Sequence, residues 1–258
     1  MSNNIKYPNI CYFCGQGVVS GEHIPPKNLF PETPQYRYEL IKLPSCDKHN
    51  KEKSTLDERM LVFLMGVNKT VCTERDFNKI KLKTIRAIMR NKHLFNNLTD
   101  NARIIKNKNN KNTLFLPNIN DVQVKINYND HRFYQECILR GLYFHTYKKT
   151  WPGEIFILPR SLVILEGDSK SNVNDFEIAL GIEDFENHVI YEQSLVSKNK
   201  VFQYKELSID DIKIFGACIY MEYFFYGVFC EDNEKLKRLK GIFSDTDIVS
   251  QFNNPPCI

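Results

Sequence analysis

The sequence predicts an α+β protein in three parts, and three observations support this fold class. Residues 1–66 contain two closely spaced pairs of metal-ligating side chains among short strand and helix patterns. Residues 67–112 are basic and helical in pattern, and residues 113–258 combine a helical pattern with runs of β-branched and aromatic residues. We therefore expect a small metal-stapled module, a basic helical connector, and a C-terminal mixed α/β domain with a largely antiparallel sheet.

The first part holds two short metal-binding turns, or knuckles. Cys11 and Cys14 stand in the segment CYFCG, and Cys46 and His49 stand in the segment SCDKHN. A two-residue gap lets both side chains of a pair turn toward one ion. Three thiolates and one imidazole are a common tetrahedral shell for structural zinc. The sequence therefore predicts one zinc site that joins the two knuckles, and two unrelated pairs in a cysteine-containing core are the alternative.

The segments around the knuckles have strand and helix patterns. Residues 9–13 and 38–43 are expected to form short strands, and a helix is expected to start near Asn50. The order would be strand, loop, strand, helix. Glu22 and His23 are adjacent between the two strands, and neighbouring side chains of an extended segment point in opposite directions. One of them would then face a metal and the other a water or a phosphate.

The second part is the most basic. Residues 67–112 contain twelve Lys or Arg and three Asp or Glu, a net charge of +9. Residues 76–95 are predicted to form a helix with apolar residues on one side. A stripe of basic side chains at helical spacing lies on the other side: Lys79, Lys83, Arg86 and Arg90. The stripe is either a solvated face or a surface that contacts phosphates, which would relieve its internal repulsion.

The third part is acidic, with a net charge of −6. A helix is predicted over 130–151. Strands are predicted at 153–159, 161–167, 188–196, 200–207 and 213–232. The acidity argues against a long DNA contact surface, and substrate selection, dimerisation and docking of a partner protein all remain open roles for this domain.

A cytoplasmic location without a membrane span is expected. The first ten residues, MSNNIKYPNI, lack an apolar signal segment, and eight cysteines in 258 residues are too few for a disulfide framework. The most apolar run, 215–230, is short and contains Glu222, so a buried strand or strand pair is predicted there.

Residues 8–60 resemble the HNH (ββα-metal) endonucleases, and most closely their zinc-bearing branch. The resemblance lies in CYFCG, GEHIPPKNLF and LPSCDKHNKEKSTLDE, where an acidic residue and a histidine stand between two knuckles and an asparagine follows the second. Ile41 stands where the middle Asn of the motif usually lies, and Glu22 stands where Asp is common. The resemblance implies a ββα-metal module and a metal-dependent endonuclease that hydrolyses DNA phosphodiester bonds.

The resemblance also implies a role for each site residue. His23 would be the general base that deprotonates the attacking water. Glu22 and Asn50 would hold a catalytic Mg2+ or Mn2+ through their oxygens, and Asp57 could reach the outer shell of that metal. The residues predicted to bind nucleic acid are Lys27, Lys51, Lys53, Lys79, Lys83, Arg86 and Arg90.

Each of these residues has a structural interpretation as well. Glu22 could be a surface acid, His23 a half-buried histidine with satisfied hydrogen bonds, and Asn50 a helix N-cap. The alternative function is therefore a non-catalytic zinc module that binds nucleic acid or a protein partner, and a third is an interaction scaffold with a degenerate nuclease fold. DNA is the expected partner, with a homodimer or a protein partner such as an ATPase, and the family association implies defence against foreign DNA, including viral DNA.

Overall fold

The structure is a computed structural model that describes residues 6–37, 40–67, 73–90, 102–105, 121–124, 128–158, 201–209, 211–220 and 223–242. The described strands are β1 (Ser20–Ile24), β2 (Ile41–Ser45), β3 (Ala102–Ile105), β4 (Asp121–Val124), β5 (Phe156–Leu158), β6 (Phe202–Ile209), β7 (Ile212–Ile219) and β8 (Tyr223–Cys230). The described α-helices are α1 (Asp47–Val67), α2 (Glu74–Arg90), α3 (Tyr128–Tyr147) and α4 (Asn233–Ile242). The chain is thus mixed α/β with antiparallel sheets, as predicted.

The first part follows the order strand, strand, helix. β1 pairs antiparallel with β2, from Ser20 opposite Ser45 to Ile24 opposite Ile41, and α1 begins two residues after β2 ends. The predicted strand at 9–13 is wrong. That segment is the first knuckle, in which the Cys11 amide donates to the Gln16 carbonyl (2.7 Å). Bringing two cysteines onto one side requires a tight turn, and this requirement overrides the strand propensity of the segment.

Helix α2 packs against α1 and against the connection between β1 and β2. Its buried face contains Asp76, Ile80, Thr84 and Ala87. Thr73 caps the helix start, since its hydroxyl accepts a hydrogen bond from the Asp76 amide (3.3 Å). The Asp76 carboxylate accepts a bond from the Thr33 hydroxyl (2.9 Å). The helix agrees with the prediction over residues 76–90, and residues 91–95 of the predicted helix lie outside the described part.

The C-terminal sheet is antiparallel, in the order β5, β8, β7, β6. Strand β5 falls within the predicted strand at 153–159, and β6 overlaps the predicted strand at 200–207 but ends two residues later. The predicted run at 213–232 divides into β7 and β8. Tyr220 lies between them with a φ of 58°, in the left-handed region. The strands predicted at 161–167 and 188–196 lie outside the described residues.

Helix α3 joins the two ends of the described chain into one core. It contacts β1, β2 and α1 on one side and β5, β7 and β8 on the other. The core cluster includes Tyr12 and Ile24 near the N-terminus and Phe229 in β8. A boundary near residue 113 stays a prediction. In the described parts of the chain, none of the helices is both long and apolar enough to cross a membrane.

The close approach of α3 to the β1–β2 sheet depends on Gly141. A Cβ at this position would lie 2.9 Å from Ile24 and 3.3 Å from Leu43. Ile24 is fully buried, so it has little room to move away. A side chain at position 141 would therefore push the helix away from the sheet.

Gly141→Ala tests this contact. Alanine favours a helix by up to about 1 kcal/mol, but overpacking typically costs about 1–3 kcal/mol, so we expect a net loss of free energy of unfolding in urea titrations. Gly241→Ala is the matched control, because it also lies in a helix and a Cβ there meets nothing within 4 Å. The control should be neutral or stabilising, and an equal gain in both variants would contradict the close approach.

Candidate metal centre and active site

The two knuckles meet in space. The ligand atoms of Cys11, Cys14, Cys46 and His49 all lie within 4.8 Å of one another. The Cys14 and Cys46 sulfurs are 3.8 Å apart, and His49 Nδ1 lies 3.8 Å from the Cys11 sulfur and 3.1 Å from the Cys46 sulfur. Tetrahedral zinc with Zn–S bonds of about 2.3 Å would place sulfurs about 3.8 Å apart. The four residues thus form a Cys3His cluster that could hold zinc, as the sequence predicts.

Backbone hydrogen bonds fix both knuckles. The Tyr12 amide donates to the Pro44 carbonyl (2.9 Å), which ties the first knuckle to β2. The Gly15 amide donates to the Cys11 carbonyl (2.9 Å), and Gly15 has a φ of 75° that favours glycine. The Asn50 amide donates to the Cys46 carbonyl (3.1 Å), so the second knuckle is the first turn of α1. Each ligand therefore sits on a braced backbone.

The electrostatics of the cluster favour a bound cation. Burial alone would raise the pKa of Cys11, but hydrogen bonds from the backbone, led by that of Cys14, bring the pKa below its usual value. Burial and the neighbouring sulfurs raise the pKa of Cys14 to about 11. Burial lowers the pKa of His49, which keeps the imidazole neutral and able to bind a metal. A divalent cation would offset the repulsion among the thiolates.

Phe13 of the first knuckle, and Arg140 from the third part of the chain, support the cluster from outside. Phe13 stacks on the His49 imidazole, with ring centroids 4.3 Å apart. The Arg140 guanidinium lies over the Phe13 ring, 4.9 Å from its centroid. It also donates hydrogen bonds to the carbonyls of Trp151 (2.6 Å) and Gly153 (2.9 Å). Sequence spacing alone gives no signal for this support.

Glu22 faces the interior and binds a buried lysine. Its side chain is only 6% exposed, and its Oε1 forms an ion pair with Lys53 Nζ, which is 1% exposed. Asp57 lies on the other side of Lys53, at 3.7 Å. Lys53 has no route to a phosphate from this position, so the prediction that it binds nucleic acid is wrong. The spacing of Lys53 and Asp57 on α1 suits such an ion pair, but only the fold shows that Glu22 joins it.

This buried group also bears on the predicted catalytic metal. Glu22 Oε1 is occupied by Lys53, and Glu22 Oε2 is buried without a hydrogen-bond partner in the described part of the chain. As placed, Glu22 does not fit direct coordination of Mg2+ or Mn2+. Asn50 is half-buried and donates from Nδ2 to the Ser20 hydroxyl (2.8 Å). Because that bond uses the nitrogen, the amide oxygen of Asn50 suits a hard cation.

His23 points away from this buried group, as alternation along β1 predicts. It is half-buried and lies opposite exposed Lys42 in the β1–β2 register. Burial lowers the pKa of His23 to about 4, and the charges of Lys27, Lys42, Lys53 and Arg37 act in the same direction. His23 is therefore neutral near pH 7 in an electropositive setting. Strand alternation could have indicated Lys42, whereas Arg37 follows a connection whose path the sequence does not define.

The basic stripe of α2 contains internal ion pairs. Lys79 lies 3.1 Å from Asp76, Lys83 lies 3.9 Å from Glu32, and Arg90 lies 3.3 Å from Glu58. Arg86 Nε contacts the Leu82 carbonyl (3.3 Å). Acidic side chains of the protein thus offset part of the like-charge repulsion that the sequence implied.

The two remaining lysines lie at the surface. Lys27 is exposed at the start of the connection between β1 and β2, on the His23 side. Lys51 is exposed on α1 and pairs with Asp47 (2.5 Å). Both are therefore accessible to a polyanion, which is what their predicted role requires.

Comparisons of the chain with protein-family models, with curated proteins and with solved structures found no match. The resemblance to HNH endonucleases therefore rests on the residues of this chain alone.

The Cys3His cluster predicts one zinc per chain. Cys46→Ala should lose the zinc and lower the melting temperature, because metal binding and folding of such a module are coupled. Elemental analysis and thermal unfolding with and without a chelator measure both effects. Cys137→Ala is the control, since Cys137 is a buried thiol outside the cluster. This variant should retain one zinc per chain. Zinc-free wild type, or Cys46→Ala with full zinc content, would contradict the prediction.

The buried carboxylate of Asp57 predicts a pH dependence of stability. Burial raises the pKa of Asp57 to about 6 from 3.8, with Lys53 opposing the shift. The folded protein holds this proton more tightly than the unfolded chain does. Its stabilising contribution is therefore complete below about pH 4 and is lost as pH rises through about 6.

Asp57→Asn should remove this dependence. Relative to wild type, its free energy of unfolding should rise by on the order of 3 kcal/mol between pH 4 and pH 7, measured by urea unfolding at each pH. Glu52→Gln, an exposed change on the same helix, is the control and should show a much smaller change. If the difference in free energy of unfolding between Asp57→Asn and wild type stays constant from pH 4 to pH 7, Asp57 has an ordinary pKa and the prediction is wrong.

Proposed function

We propose that this chain is a zinc-stapled, metal-dependent HNH-type endonuclease that hydrolyses DNA phosphodiester bonds. The observation that carries the proposal is the position of His23. A half-exposed, neutral imidazole lies on the outer face of β1, opposite Lys42 and close to the positive charges of Lys27 and Arg37. The negative charge of a bound diester would raise the pKa of His23 from about 4 toward the pH range in which a general base works.

The arrangement around His23 supports the same proposal. Strands β1 and β2 and helix α1 are joined at one end by the Cys3His cluster, as expected of a zinc-bearing ββα-metal module. The cluster fixes where α1 begins, and α1 in turn places Asn50 beside Ser20 of β1. The base and the candidate metal ligand therefore belong to two elements that one cluster holds together.

In the proposed reaction, His23 accepts a proton from a water molecule as the water oxygen attacks phosphorus. The P–O bond to the 3′ oxygen breaks with its electron pair on that oxygen, which takes a proton from a solvent water. The products are a 5′-phosphate and a 3′-hydroxyl end. Lys27, Lys42 and Arg37 stabilise the added negative charge in the transition state. When bound, a divalent ion would supply further charge stabilisation, and Asn50 is the residue that fits it. A role in defence against foreign DNA, and an ATPase partner, follow from the resemblance alone.

The buried contacts favour a second candidate, a non-catalytic zinc module that binds nucleic acid or a protein partner. Glu22 neutralises Lys53, and Asn50 bridges α1 to β1 through Ser20. Both residues thereby have structural roles that need no catalytic metal.

His23→Ala separates the two functions. It should reduce cleavage of plasmid DNA in Mg2+ or Mn2+ by about 10²- to 10⁴-fold, because a general base acts mainly in the transition state. Zinc content, melting temperature and DNA affinity should stay close to wild type. Val19→Ala, an exposed change just before β1, is the control and should cut normally. No cleavage by wild type in any divalent metal, or normal cleavage by His23→Ala, would leave the binding module as the function.

Asn50→Ala and Glu22→Gln divide the roles further. Asn50→Ala should lose activity that higher Mg2+ or Mn2+ partly restores, because a lost ligand lowers metal occupancy. Glu22→Gln should chiefly lower stability, by up to about 3–5 kcal/mol, because it removes the nearer of the two carboxylates beside buried Lys53 and leaves only Asp57 at 3.7 Å. Metal-rescued activity at normal stability in Glu22→Gln would instead make Glu22 a metal ligand.

A further inference from the structure

The connection between β1 and β2 links the His23 face to helix α2. Lys27 and Arg37 belong to this connection, as do Glu32 and Thr33. The Thr33 hydroxyl donates to Asp76 at the start of α2 (2.9 Å), and Glu32 Oε1 lies 3.9 Å from Lys83 Nζ, about two turns further along the helix. The cations of the connection and those of α2 therefore lie on surfaces in direct contact.

Arg37 stands between the two groups of cations with unused hydrogen-bonding capacity. Its Nη2 donates to the Phe30 carbonyl (2.8 Å), which fixes the guanidinium. Its Nε is buried and has no hydrogen-bond partner among the described residues. A buried atom is out of reach of an external phosphate, but the guanidinium of Arg37 is only half-buried and carries further N–H donors. A phosphate oxygen is an acceptor suited to those donors.

The charges around Arg37 act on one another. Burial lowers the pKa of Arg37, and the Glu32 carboxylate opposes that shift. Burial also lowers the pKa of Lys83, with the charges of Arg37 and Arg86 acting in the same direction. The charge of Arg37 also lowers the pKa of His23. Positive charge therefore continues from Lys27 and Lys42 beside the neutral His23 through Arg37 to Lys83 and Arg86, with Glu32 as a nearby opposing charge.

Glu32 is held only loosely in this position. Its side chain is 75% exposed, and its distance of 3.9 Å from Lys83 is long for an ion pair. Exposed pairs of this kind contribute about 0–1 kcal/mol. A phosphate that approaches Lys83 could therefore displace the carboxylate at little cost.

We infer that Arg37, Lys83 and Arg86 form a track that binds the sugar–phosphate backbone of a nucleic acid strand as it leaves His23, and that Glu32 competes for this track in the free protein. The inference rests on the proposed function, since it takes His23 as the point where the strand is cut. It assigns a polymeric substrate that spans both β1 and α2, rather than a small phosphodiester. It also implies that α2 contacts the part of the bound strand that lies beyond the cut site.

Affinity for a fluorescent 20-base-pair DNA duplex tests the track, measured by anisotropy at 50 and 200 mM salt on the zinc-loaded full chain without Mg2+ or Mn2+. Lys83→Gln should weaken binding and reduce the salt slope by about 0.9, which lowers the ratio of Kd at the two salt concentrations about 3.5-fold. Glu32→Gln should do the opposite and tighten binding. Because Glu32 acts through Lys83, the gain in DNA affinity from Glu32→Gln should shrink when Lys83→Gln is also present.

Lys237→Gln is the control, since Lys237 is an exposed lysine of α4 paired with Glu234 (2.7 Å), and it should bind as wild type. Lys83 and Glu32 are at or near the surface, so these variants are expected to fold even where Arg37→Gln fails. Unchanged affinity and salt slope in Lys83→Gln, with no gain in Glu32→Gln, would overturn the track.

The outcomes also separate the track from the nuclease. If the two variants shift binding as expected but wild type cuts no DNA in any divalent metal, the track stands as a binding surface and the endonuclease fails. If wild type cuts DNA and His23→Ala does not, while the Lys83 and Glu32 variants bind as wild type, the endonuclease stands and the track fails.

Discussion

The four-ligand contact of Cys11, Cys14, Cys46 and His49 is the constraint on which the rest of the N-terminal structure depends. It forces residues 10–17 into a turn and makes the second knuckle the first turn of α1. Once α1 begins there, helical spacing places Asn50 and Lys53 along the face toward β1. A metal that binds only the folded form would stabilise this module further, and the gain in free energy of unfolding would grow with the logarithm of the metal concentration relative to its Kd.

The ion pair of Lys53 with Glu22 is the second consequence of that placement. Removing two charges from water is expensive, and an ion pair compensates only when its geometry is good. The pair therefore fixes how α1 sits on β1 more than it adds stability, because a shifted helix would leave a buried charge alone. The same carboxylate cannot serve both Lys53 and a metal fully. A nuclease built on this module would hold its catalytic ion mainly through Asn50 and the substrate.

The sequence predicts the features that depend on local spacing. Ligand spacing indicated the Cys3His cluster, and alternation along a strand put Glu22 and His23 on opposite faces. The position of β1 was not predictable, because residues 9–13 have strand propensity but must turn to present two cysteines. The burial of Lys53 depends on Glu22, thirty-one residues away, and the role of α3 depends on Gly141 meeting Ile24. Such contacts arise only when distant segments pack together.

Acidic side chains beside the basic stripe of α2 would weaken its attraction for a polyanion. Three of the four stripe cations on α2 already have carboxylates within 4 Å. A bound strand must displace or accommodate those carboxylates, and each exposed pair is worth only about 0–1 kcal/mol. Both the cost and the gain grow with the number of cations contacted, so each phosphate contact would contribute only a small net free energy. A strand bound here would therefore need several such contacts together to bind tightly.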